Sequence, residues 1–157
     1  MKLETRTNLL TLVLGVLIIV LSYLLYHSIT DPYKAVLEEQ AMTNKVRHRM
    51  ELVRDALVQY NTRRGGYPQT EAGLDSLVSF LKTDSLMVAR GDTLFQFIAP
   101  DEYVPDSMIV SPRTGNRFQY TLNDTLRPKI YLLEDPDSDD AIGDLQRTTM
   151  LNAPNWN

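Results

Sequence analysis

The 157-residue sequence contains no cysteine. Disulfides, thiol nucleophiles, thiolate metal sites and a lipid anchor on cysteine are therefore excluded. Histidine is scarce as well, since only His27 and His48 occur, and a histidine-based metal or acid–base centre is poorly supplied. The net charge of −4 gives no basic surface for nucleic acid. Carboxylates occur without a nucleophile or phosphate-loop pattern, so we expect no enzymatic activity and infer no small-molecule substrate.

What the sequence does have is an apolar run near its N-terminus. Residues 9–26 carry no charge and are interrupted only by Thr11, Gly15 and Ser22. As a helix this run is about 27 Å long, and extension to Ile29 brings it close to the hydrocarbon thickness of a bilayer. A cleaved secretory signal would have a shorter apolar region, and a buried soluble helix would need more covering chain than this sequence provides. We therefore expect a retained, single-pass transmembrane helix.

The charges that flank the run favour one orientation. Lys2 and Arg6 precede it, whereas the nearest basic residue on the other side is Lys34. This bias predicts a cytoplasmic N-terminus in the inner (cytoplasmic) membrane and a periplasmic or extracytoplasmic globular part.

The next pattern is that of a long amphipathic helix over residues 33–61. Apolar residues recur at steps of four and three, as on one helical face: Met42, Val46, Met50, Val53, Leu57 and Tyr60. The charged residues between them, Arg47 and Arg49 included, are interpreted as a solvated face, together with His48. Pro32 has two interpretations: it is the first residue of a new helix capped by Asp31, or it lies within one helix that begins in the membrane.

Shorter elements follow. We predict a helix over 74–81, a loop over 82–91 and a short strand or turn over 94–98. Two strands are predicted over 117–122 and 129–133, with a hairpin loop between them. An acidic loop over 134–144 and a patternless, mobile tail over 146–157 complete the chain. In terms of domains, residues 1–30 form the cytoplasmic stub and transmembrane helix, 31–62 the amphipathic helix, 63–145 the globular part and 146–157 the tail.

Several phrases, in this order, resemble the major pseudopilin of type II secretion systems. They are Ala-Leu-Val-Gln-Tyr at 56–60, Gly-Tyr-Pro at 66–68, Thr-Glu-Ala-Gly-Leu-Asp-Ser-Leu at 70–77, Ser-Pro-Arg-Thr-Gly-Asn-Arg-Phe-Gln-Tyr at 111–120, and Ile-Tyr-Leu-Leu at 130–133, which runs into the acidic loop. The resemblance covers residues 33 to about 145. It implies an α+β, pilin-like fold, in which a long N-terminal helix, first transmembrane and then amphipathic, packs on a small antiparallel β-sheet.

The resemblance also implies a function. A pilin-like, membrane-anchored structural subunit or accessory of a type II secretion or pseudopilus system would act by helix packing with copies of itself or with other pilin-like or envelope subunits. Family members normally carry a prepilin-peptidase site before the apolar run, and residues 1–8 have no glycine for it. We therefore expect an uncut N-terminus, which an intact-mass measurement tests. The alternative is a bitopic membrane protein that uses a pseudopilin-like domain as a binding module in another envelope complex.

The acidic loop is a candidate calcium site. Six carboxylates fall within residues 134–144, and like charges this close repel one another: Glu134, Asp135, Asp137, Asp139, Asp140 and Asp144. Calcium takes about six to eight oxygen ligands. The loop resembles the calcium-binding loop of the major pseudopilin, and Asp137, Asp139 and Asp140 are the expected ligands. The spacing is not that of an EF-hand, and a solvated acidic turn is the alternative.

Overall fold

The computed structural model describes residues 2–156, which divide after Ala41 into two compact units. A single helix, α1 (Lys2–Arg64), contributes residues to both. Pro32 lies inside this helix, so the second interpretation of Pro32 is confirmed.

In the first unit, the apolar side chains of α1 are exposed. Leu9 and Ile19, for example, keep 63% and 70% of their surface accessible, and the exposed apolar residues extend to Leu37. Within the described part of the chain, α1 is the one helix that is long and apolar enough to cross a membrane, judged by length and composition.

In the second unit, the predicted stripe of α1 is buried except at its two ends, Met42 and Tyr60, which are partly buried. Val46, Met50, Val53 and Leu57 are each at most 1% exposed, and they belong to the main hydrophobic cluster. The same cluster contains, among others, Leu77 and Phe80 of the next helix and Tyr131 and Leu133 of the sheet. The helix ends as expected, because Gly65 adopts a positive φ of 76° and donates a hydrogen bond to the carbonyl of Asn61.

Three short helices follow: α2 (Gly73–Thr83), α3 (Ser85–Leu94) and α4 (Pro105–Met108). The prediction of a loop over 82–91 is wrong, because α3 occupies most of that range. The sequence of α3 shows little amphipathic pattern, and only Met87 and Gly91 of its residues are buried. The Asp84 carboxylate caps α3 by accepting hydrogen bonds from the backbone N–H groups of Leu86 and Met87. Residues 94–98 form no strand; Leu94 ends α3 and Phe95 is buried.

The sheet has three antiparallel strands in the order β1-β2-β3. They are β1 (Gln119–Asn123), β2 (Ile130–Glu134) and β3 (Ala141–Gly143). Tyr120 pairs with Leu133, and Leu133 pairs on its other side with Ile142. The two predicted strands are thus confirmed with a shift of one or two residues, and the α+β, pilin-like fold is confirmed. The loop predicted over 134–144 is too long, because β3 lies within it.

The C-terminal residues are held against β3, which corrects the prediction of a mobile tail. A 3₁₀ turn (Thr148–Met150) leads into a stretch in which Pro154 forms a β-bridge with Ile142. Gly143 donates its N–H to the Ala153 carbonyl, and Asn155 donates its N–H to the Ala141 carbonyl, both at 2.9 Å. No periodic pattern in the sequence predicts this segment, because its ordered conformation depends on pairing with β3.

Candidate functional site

The β2–β3 loop, residues 135–140, is closed at its base by the strands that flank it. The backbone N–H of Asp135 donates to the Asp140 carbonyl at 3.0 Å. On the far side, the side chain of Asn155 accepts from the Ala141 N–H and donates to the Asp139 carbonyl at 2.6 Å. The loop is therefore tied to β3 and to the C-terminal segment as well as to β2.

Asp140 is held by a cation from α1. The Arg47 guanidinium donates two parallel hydrogen bonds to it, from Nε to Oδ2 at 2.9 Å and from Nη2 to Oδ1 at 2.8 Å. This forked pairing is the strong geometry for arginine and a carboxylate. The side chains are 30% and 12% exposed, so solvent screens the pair only in part. The Trp156 ring lies 5.3 Å from the guanidinium carbon and adds a cation–π contact.

Asp137 and Asp139 have other surroundings. The carboxylate of Asp137 accepts hydrogen bonds from the Thr114 hydroxyl and, at 3.0 Å, from the Asn116 amide. Both donors belong to the phrase at 111–120 that precedes β1. Asp139 is exposed to solvent, and its backbone carbonyl accepts from Asn155. The structure therefore connects Asp137 and Asp140 to different parts of the molecule.

Asp135 is the buried carboxylate of the loop, and it was not among the expected calcium ligands. It is 3% exposed, and its Oδ2 accepts from the Ser138 hydroxyl at 2.8 Å. Within the described residues, its Oδ1 has no hydrogen-bond partner. Only the three-dimensional structure distinguishes this carboxylate from its neighbours, because its sequence context is as acidic as theirs.

As arranged, Asp137, Asp139 and Asp140 do not fit one calcium ion. Among the side chains that the structure describes, those of residues 6–156, no group of three or more from histidine, cysteine, aspartate or glutamate is placed to hold a metal. Both carboxylate oxygens of Asp140 already accept from Arg47, so a calcium ion coordinated by their remaining lone pairs would be repelled by the adjacent guanidinium charge. Calcium binding by this loop stays a prediction.

A second cationic cluster corrects the interpretation of the α1 charges as a solvated face. Arg49 is 5% exposed, donates to the Ser107 carbonyl at 2.6 Å and to Asp101 at 2.7 Å, and lies 3.7 Å from the centre of the Phe97 ring. Lys45 donates to the other oxygen of Asp101 at 2.9 Å. Arg49 and Arg47 thus fasten two separate loops to one helix.

These contacts perturb the pKa values of the cluster. The hydrogen bond from Lys45 and the two neighbouring positive charges hold the pKa of Asp101 below its ordinary value, although partial burial acts in the opposite direction. Burial lowers the pKa of Arg49, and Asp101 partly offsets that effect. Asp101 is consequently a carboxylate whose ionised form stabilises the fold.

The remaining candidate surface is the exposed apolar face of α1 in the first unit. The profile described as "Type II secretion system (T2SS), protein G" matches residues 36–121, and so begins near the end of this exposed face. The chain belongs to the type II secretion system protein G family. No curated protein and no solved structure matches the chain.

The protein G match covers some of the contacts described above and leaves out others. It includes Arg47, the phrases at 66–68 and 70–77, and Asn116, which all lie before its last residue, Thr121. The β2–β3 loop and Trp156 lie beyond it. The family assignment therefore supports the pseudopilin fold of α1, α2 and β1, and it carries no information about the loop chemistry.

Proposed function

We propose that this protein is a pilin-like subunit of a type II secretion pseudopilus, anchored by α1 in the inner membrane and acting through helix packing with other subunits. The observation that carries the proposal is the exposed apolar surface of the first unit in a chain of the protein G family. A surface of this kind is far larger than the isolated apolar side chains of a monomeric soluble protein, so it needs lipid or other helices to cover it.

The charge pattern supports an N-terminus in the cytoplasm. Lys2 and Arg6 lie before the apolar run, and Tyr23, Tyr26 and Tyr33 follow near its other end, as aromatic residues do at a membrane interface. The second unit would then lie outside the cytoplasm. In that arrangement, α1 spans the bilayer and its apolar residues beyond it, such as Val36 and Leu37, are available to neighbouring subunits.

Cysteine scanning tests the proposal, because the natural chain has no cysteine to interfere. Single cysteines are introduced at each position from 9 to 37 in the full-length protein, and isolated membranes are oxidised with copper phenanthroline. We expect disulfide-linked homodimers that recur with helical spacing along α1. Val88→Cys on α3 is the matched control, because Val88 is exposed but lies on the second unit.

Two results would oppose a self-packing subunit. Uniform cross-linking that includes Val88→Cys would indicate random collision. Absence of homodimers, with cross-links to unlike proteins instead, would favour the alternative, a binding module in another envelope complex.

A further inference from the structure

In place of the calcium site predicted from the sequence, we infer that Arg47 is the counter-cation of the β2–β3 loop and that the loop folds without a bound metal ion. The inference concerns the stability of the second unit. It holds or fails whether or not the protein assembles into a pseudopilus, because no contact that supports it involves the first unit.

The first support is the geometry of the Arg47–Asp140 pair. Two N–H groups of one planar guanidinium donate to the two oxygens of one carboxylate at 2.9 and 2.8 Å, so a calcium ion coordinated by Asp140 would lie close to the positive charge of Arg47 and be repelled by it. The residues are separated by 93 positions, and their pairing fixes the end of the loop to α1.

The second support is what surrounds Arg47. Trp156 covers its guanidinium, and Trp156 also packs against the hydrophobic core. The adjacent Asn155 binds the loop and β3 through its side chain and backbone. Arg47 thus lies, partly exposed, between the loop and the C-terminal segment, where its positive charge offsets part of the negative charge of the loop.

The third support is that other carboxylates of the loop have protein donors. Asp137 accepts from Thr114 and Asn116, and Asp135 accepts from Ser138. The oxygen that argues the other way is Asp135 Oδ1, which is buried and has no partner among the described residues. If a divalent ion does bind, Asp135 is the residue to which it would come, and this makes Asp135 the informative variant.

The experiment measures unfolding of the full-length protein in detergent, with chelator or with millimolar calcium. Trp156, the single tryptophan, gives a fluorescence signal beside Arg47, and circular dichroism gives an independent one. We expect the wild-type melting temperature to be the same in both conditions. A calcium ion that binds only the native state would raise it by more than about 5 °C at a roughly hundredfold excess over Kd.

Substitutions test the role of Arg47 directly. Arg47→Met, which keeps an aliphatic stem, should lower the ratio of folded to unfolded protein by about tenfold or more, because it leaves Asp140 without its charged partner. Arg54→Met is the matched control on the same helix, since Arg54 forms its ion pair with the exposed, adjacent Asp55. It should change the ratio by no more than about fivefold.

A double-mutant cycle completes the design. Asp140→Asn should cost little once Arg47→Met is present, because the two side chains act as a pair. The inference is overturned if calcium raises the wild-type melting temperature and Asp135→Asn removes that rise. It is also overturned if Arg47→Met is no more destabilising than Arg54→Met, or if the effects of Arg47→Met and Asp140→Asn simply add.

Discussion

Introducing one aspartate at Val53 should unfold much of the second unit, whereas the same substitution at Val88 should be tolerated. Val53 lies on the buried stripe of α1 and is 0% exposed; Val88 lies on α3 and is 65% exposed. Both residues are helical valines and both substitutions add the same charge, so burial is the main difference between them.

The magnitude follows from two contributions. Loss of a fully buried valine side chain costs about 1.5–3 kcal/mol. The new carboxylate must also be desolvated or protonated at neutral pH, and each unit by which its pKa rises costs about 1.4 kcal/mol. For a rise of about two units, the two contributions together give roughly 4–6 kcal/mol, which is a large part of the roughly 5–15 kcal/mol by which a typical domain is stable. Val88→Asp should stay within about 0.5 kcal/mol of the wild type.

Urea unfolding of the full-length protein in detergent measures both effects, with Trp156 fluorescence as the signal, because Trp156 packs against the core. For a slope of about 1–3 kcal/mol per molar urea, Val53→Asp should lower the midpoint by roughly 1–6 M or leave no cooperative transition. If Val53→Asp and Val88→Asp have the same midpoint, the stripe does not pack in the core, and it would have to face lipid or another subunit instead.

Two further predictions concern α3 and the Asp101 cluster. Gly91→Ala should destabilise the protein by about 1–3 kcal/mol in thermal unfolding, because the new Cβ would lie 2.6 Å from Tyr103 Cε1. This loss is expected although alanine is the better helix former. The control is Gly66→Ala, which should be neutral or stabilising because nothing lies within 4 Å of its Cβ position. Asp101→Asn should destabilise the protein at pH 7, as measured by urea unfolding. The difference in stability from the wild type should shrink as the pH falls below about 4 and vanish below the folded-state pKa of Asp101. The reason is that a carboxylate with a lowered pKa stabilises the folded state only while it is ionised. A destabilised Gly66→Ala would contradict the argument about Gly91 and Tyr103. A stability difference between Asp101→Asn and the wild type that stays constant across this pH range would contradict the argument about the Asp101 carboxylate.

Patterns that repeat along the chain could be read from the sequence. The stripe from Val46 to Leu57 and the alternation around Tyr120 and Leu133 are local, and each corresponds to a buried face of a helix or a strand. The uncharged run at 9–26 likewise corresponds to the exposed apolar part of α1. These features position the pseudopilin fold without any knowledge of long-range contacts.

Features that depend on distant partners could not be read in this way. Arg47 follows the stripe residue Val46 directly, and nothing in its neighbourhood indicates a partner 93 positions later. β3 has only three residues, and its order depends on pairing with β2 and with Pro154. For α3, the capping side chain of Asp84 rather than an apolar period marks the helix.

The loop carboxylates illustrate the same limit at the candidate site. Charge density predicted a common metal site at Asp137, Asp139 and Asp140, but density along a chain does not determine where side chains point. In the folded protein, Asp140 turns to α1 and Asp137 to the segment before β1, while the buried position belongs to Asp135.

Assembly is the central claim, and recovery of filaments tests it most directly. Cells of the natural host that overproduce this protein together with its secretion system are sheared, and the released fraction is imaged by electron microscopy with an antibody against the second unit. The proposal predicts labelled filaments in that fraction. Protein found only in the membrane, as a monomer or in a complex with unlike proteins, would contradict it.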